Sequence, residues 1–190
     1  HGRVHPVGVG HGDVHEARKL VRLRLKEESL AEIYDRLLIP ALNYGERDRH
    51  AGLLHEEQEE AVEETARELI DELAVVAGSH RSAGSDQPAV EAATPRPRVL
   101  VAPLRDEADE ISAQMLTQLL EADQFEVELA ANESLTGELV DSVAELKIDI
   151  GVISILPPLP ARTSRLLCRR LRVPYPHLPI VVRYWGGGCP

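Results

Sequence analysis

Apolar positions along this chain follow two rhythms. Before about residue 77 they recur every three or four residues, the spacing of one face of an α-helix. From residue 98 they gather into short runs that alternate with helix-period segments. The first rhythm predicts a small helical bundle and the second a parallel sheet with helices on its faces.

The first helix is expected from Asp13, as its cap, to about Lys26, with Ala17, Leu20 and Val21 inward. Ser29 and Glu32 have capping-box spacing and open a second helix striped by Ile33, Tyr34, Leu37 and Leu38. Pro40 should kink or end it, and Gly52 should stop the segment. A third helix is expected over residues 54–76, with Ala66, Leu69, Ile70 and Leu73 on one face and a run of glutamates on the other. Residues 78–97 carry Gly, Ser, Ala and three prolines without a period and read as a linker.

Four strands follow, at residues 99–102, 125–129, 148–155 and 180–184. The helices between them are expected at 106–121, 136–147 and 160–172. The fold class is therefore α/β: a helical bundle (13–77), then a flavodoxin-like, Rossmann-like parallel sheet with helices on both faces (98–190). No fifth strand is apparent, so the expectation is a fragment, a partner that supplies the edge, or a short domain.

Composition and charge sharpen this picture. Aromatics make up only 3% of the chain, so the core is aliphatic. A net charge of −11 disfavours nucleic acid as a partner. The charge is uneven, because residues 151–190 hold six arginines and no acid. Cys168 and Cys189 have neither disulfide-framework nor metal spacing, and Cys168 is expected at a core boundary. With no long apolar run and no signal pattern, a cytoplasmic setting is expected.

Several chemistries find no support. His1, His5, His11 and His15 form two H-x-x-x-H pairs, but Pro6 and Gly2, Gly8, Gly10 and Gly12 oppose a helix there, so residues 1–12 read as a flexible tail. The first strand-to-helix loop lacks glycine and carries Asp106, Glu107, Asp109 and Glu110, which repel phosphate. Asp149 stands at the wrong end of its strand for a phosphoacceptor. Ser154 and His177 have no evident catalytic partner, so no enzyme is expected. What remains is a pocket at the strand tips, with the Ser154 hydroxyl, a Leu156 wall, the Pro157–Pro158 loop and close backbone approach at Gly186.

Bundle, linker and α/β module in this order resemble the cobalamin-binding modules of methyltransferases, mutases and light-sensing regulators. The segment from Leu30 to Leu42, with its Pro40-Ala41-Leu42, is similar to their cap domain. Ser154-Ile155-Leu156 matches the family's S-x-L, which lines the pocket for the cofactor's nucleotide tail. The family's D-x-H-x-x-G, whose His ligates cobalt, falls on Glu107, Asp109 and Ser112, and its glycine pair after the fourth strand falls near Arg183 and Tyr184.

The resemblance thus implies cobalamin as cofactor, without a protein His ligand, and Glu107, Asp109, Ser112, Ser154, Leu156 and Gly186 as its binding residues. A narrower resemblance, through residues 106–110, 155–158 and 167–171, is to the soluble C-terminal regions of bacterial permeases similar to the autoinducer-2 exporter family. It implies a membrane-embedded portion elsewhere in the same or a partner protein.

The expected role is a non-catalytic ligand-binding or regulatory module of a larger transporter or signalling assembly, with the small ligand unidentified. The bundle would cap the strand-tip pocket and move on the linker when ligand binds. A corrinoid carrier without His ligation and an interaction module with no small ligand are the alternatives, and self-association into a homo-oligomer fits the last.

Overall fold

The computed structural model describes residues 11–84, 95–132, 134, 136–158 and 161–185. The chain divides into two compact units, His1–Gly78 and Ser79–Pro190.

The first unit holds α1 (His11–Arg24), α2 (Leu30–Ile33), a π-helical turn (Tyr34–Leu38), α3 (Ile39–His50) and most of α4 (Glu56–Gly84). α1 begins earlier than expected, so Asp13 lies within it rather than capping it, and His11 and Gly12 are helical rather than tail. His1 and His5 lie outside the described residues. Arg18 pairs with Glu68, and Arg22 with Glu72 at 2.9 Å, tying α1 to α4. The capping box forms: Ser29 N–H donates to Glu32 Oε2 at 2.9 Å, and the Ser29 hydroxyl accepts from Glu32 N–H.

Pro40 neither ends nor breaks the helix. It has no N–H to donate and its ring crowds the carbonyl four residues back. The π turn just before it widens the ladder, so that Ile39 N–H reaches Tyr34 O. The buried pairs Ile33–Tyr34 and Leu38–Ile39 are five residues apart, the period of that turn. Helix α4 runs to Gly84, past the expected stop at 76 and through the first seven residues of the expected linker (78–84). Once five turns are formed, propagation needs one hydrogen bond per residue, and no proline intervenes before Pro88. Residues 85–94 lie outside the described residues.

The second unit holds β1 (Arg98–Pro103), α5 (Glu107–Ala122), β2 (Glu126–Leu129), α6 (Thr136–Glu145), β3 (Ile150–Ile155), α7 (Ala161–Arg172) and β4 (Ile180–Tyr184). The sheet is wholly parallel, in the order β2-β1-β3-β4, the flavodoxin-like arrangement expected. Alternate residues of the central strands point to opposite faces. Val99, Val101 and Val152 pack with Ala113 of α5. Leu100, Ala102, Ile153 and Ile155 pack with Leu139 and Val143 of α6 and Leu167 and Leu171 of α7. Burial on both faces is why these strands read as unbroken apolar runs.

Helix α6 stops two residues short of the expected Lys147. Lys147 takes a φ of 53° there, and Gln124 a φ of 69° after α5. Each lies two residues past its helix, where the following N–H turns back: Phe125 N–H to Leu120 O, and Ile148 N–H to Val143 O, both at 3.1 Å. Gly52, at φ 69°, closes α3 the same way, with the residue suited to it.

At the amino ends of the strands, Arg98 fastens three elements. Its N–H reaches Asp149 Oδ2 at 2.8 Å, its Nε reaches Glu126 at 2.7 Å, and its guanidinium reaches Leu146 O at 2.9 Å. Asp149 therefore has a structural partner there.

Candidate functional site

At the opposite end of the sheet, β1 and β3 finish beside the start of α5. Asp106 caps that helix, its side chain accepting from Asp109 N–H at 3.1 Å. Asp109 is fully buried and points inward, accepting the N–H of Leu156 at 2.6 Å just beyond β3. One turn along, the Ser112 hydroxyl lies 2.8 Å from Asp109 O and 2.8 Å from Ser154 Oγ. Trp185 Nε1 lies 2.8 Å from Ser154 Oγ.

Counting protons orients these bonds. An indole N–H only donates, so Trp185 gives to Ser154. A carbonyl only accepts, so Ser112 gives to Asp109 O. The Ser154 proton is then left to bridge the two hydroxyls, and it points at Ser112. The result is a one-way chain, Trp185 to Ser154 to Ser112 to the helix backbone, in which every donor is used once. Ser112 and Ser154 have no solvent exposure and Trp185 has 2%.

The structure thus brings Asp109, Ser112, Ser154 and Leu156 together. Glu107 opens α5 half-buried, beside its cap. Gly186 lies outside the described residues. The residue missed from the sequence is Trp185. The signal was there: the sole tryptophan follows β4, and a buried indole needs an acceptor, for which Ser154 on the adjacent strand is placed. Trp185 extends the β3–β4 ladder by one bond, its N–H to Ile155 O at 2.9 Å, and Arg183 lies over its ring at 4.2 Å from the centroid.

Searches of family models and of curated proteins return no match for this chain.

These residues do not fit a corrinoid whose nucleotide tail enters between α5 and β3. The family's glycine position carries Ser112, whose hydroxyl is bonded into the gap. The Ser154 hydroxyl is already held by the indole. At the cobalt-ligating position, Asp109 offers no imidazole, and its carboxylate turns inward onto Leu156.

Other candidate chemistry is equally committed. Burial pushes the Cys168 thiol up from its ordinary value, which weakens it as a nucleophile, and it packs beside the α6–α7 core as expected of a boundary residue. Cys189 lies outside the described residues. His177 is exposed in the loop before β4. No group of three metal-ligating side chains occurs among the described residues, and no described helix is long and apolar enough to cross a membrane. A depression of about 570 Å³ lies at the amino ends of β1 and β2, where Arg98 and Glu126 pair with each other.

Proposed function

We propose that this chain is a non-catalytic regulatory module that works by contact with other macromolecules, on a cobalamin-binding-like fold that takes no corrinoid. The observation that carries this reading is the closed hydrogen-bond chain from Trp185 to Asp109 O. A ligand slot needs convergent polar groups with bonding capacity to spare. Here the Ser154 proton is spent on Ser112 and the Ser112 proton on Asp109 O, and displacing the hydroxyls would leave a buried indole N–H without an acceptor. The lack of an acid–base pair in this cluster supports a non-catalytic role. A net charge of −11 supports protein rather than nucleic acid as the partner.

The test is optical. The protein is mixed with hydroxocobalamin and, separately, with adenosylcobalamin, then desalted and scanned in the visible. A colourless protein is expected. Corrinoid absorbance retained near one equivalent overturns the reading.

A further inference from the structure

Helix α7 carries Arg162, Arg165, Arg169, Arg170 and Arg172, all exposed, and no acid. Arg162, Arg165, Arg169 and Arg172 lie three or four residues apart and form a stripe about 15 Å long at 1.5 Å per residue. No ion pair engages these four among the described residues. Helix α4 carries the opposite stripe. Glu56, Glu60 and Glu64 are exposed, four residues apart, and span about 12 Å. They too have no ion-pair partner among the described residues.

Helix stability explains only part of this. The macrodipole favours acids in the first turn of α4 and bases in the last turn of α7. It does not explain Glu64, in the third turn of α4. It disfavours Arg162 and Arg165, which sit in the first two turns of α7 where a cation opposes the helix N-terminus. A cost accepted on the helix itself points to a partner outside it.

We infer that the arginine stripe of α7 docks on the glutamate stripe of α4 in a second copy of this chain. This rests on the reading above and names the partner. The two stripes are comparable in length, about 15 Å and about 12 Å, and opposite in sign, and each copy carries both. A polyanion fits less well, because it could meet the arginines but offers nothing of opposite sign to the α4 glutamates, which a second copy does. A lipid surface also fits less well, since among the described side chains of α7 the large apolar one exposed is Leu166, at half exposure. Exposed ion pairs are individually weak and screened by salt, so the association is weak, depends on the whole stripe and falls with ionic strength.

Sedimentation velocity over a concentration series, at low and high salt, reads this directly. Wild type should self-associate at low salt and dissociate as the screening length falls from about 10 Å at 0.1 M salt to about 3 Å at 1 M. The Arg165→Glu/Arg169→Glu variant and the Glu60→Arg/Glu64→Arg variant should each lose at least about tenfold in association constant. Mixed together they should regain it, because each stripe then meets one of opposite sign. Circular dichroism confirms that both variants fold. A monomer at every concentration, association indifferent to both reversals, or failure of the mixture to rescue overturns the proposal. Flotation with anionic vesicles by a chain that stays monomeric overturns it in favour of a lipid surface. None of these results bears on corrinoid absorbance, so the two readings fail separately.

Discussion

Trp185 donates its indole proton to Ser154 across 2.8 Å, from a position in which neither side chain meets more than a trace of solvent. Ser154→Ala removes both an acceptor and a donor, leaving the indole N–H buried and Ser112 short of a partner. The expected loss is about 1–3 kcal/mol, the cost of orphaned buried polar groups. Ser142→Ala is the control. Its hydroxyl bonds Glu138 O at an accessible site, and its loss should stay within about 0.5 kcal/mol. Urea titration followed by the emission of the single tryptophan measures both. Equal midpoints for the two variants would contradict the closed chain.

Replacing the residues that close α5 and α6 should stabilise the fold. Gln124 and Lys147 hold positive φ with side chains that disfavour it. Gln124→Gly and Lys147→Gly should each add about 0.5–1 kcal/mol, net of the greater freedom glycine has in the unfolded chain. Thermal melts are the measure, and a lower melting temperature for both would show that the side chains carry compensating contacts.

The π turn before Pro40 yields a paired prediction. Deleting the exposed Arg36 takes one residue out of the turn and lets a regular α-helix keep Ile33–Tyr34 and Leu38–Ile39 on one face. That helix must then accept Pro40 in its interior, at a cost of about 3 kcal/mol. The deletion alone should therefore destabilise, and adding Pro40→Ala should restore most of the loss. A deletion as stable as wild type would show that the wide turn does not serve the proline.

Acid should weaken the capping box. The Ser29 N–H, then its hydroxyl, hold the Glu32 carboxyl below its ordinary value of 4.5. A depressed carboxylate stabilises above its unfolded value, and that contribution disappears as pH falls through the lower, folded value. Helicity near the start of α2 should fall across that window, and Glu32→Gln should flatten the dependence. Circular dichroism against pH for both proteins is the measurement, and identical curves would remove Glu32 from the account.

The α/β unit was the more legible part of the sequence, for a physical reason. Strands buried on both faces, such as Val99 to Ala102, carry no polar alternation and stand out as unbroken apolar runs between helix-period segments. The helix ends after α5 and α6 were hidden because Gln124 and Lys147 stand where glycine usually signals a stop. Pro40 read as a break because its accommodation depends on a ladder the sequence does not announce. The Gly-Ser composition after residue 77 read as linker, yet a helix already formed extends through its first seven residues, 78–84. At the strand tips, Asp109, Ser112, Ser154 and Leu156 were legible as a cluster, but their partner Trp185 was not. Its indole meets Ser154 only once β4 is laid beside β3, a pairing that the spacing of the strands does not specify.

The register of the sheet also sets a timetable. Val99 of β1 pairs with Ile150 of β3, so β1 leaves the ribosome 51 residues ahead of its central neighbour. At roughly 5–20 residues per second, that interval is about 3–10 s. For that time an apolar strand destined to be covered on both faces has at most β2 beside it. The nascent chain is therefore most exposed to misassembly between the emergence of β1 and that of β3, and a chaperone that spares this protein would act in that window.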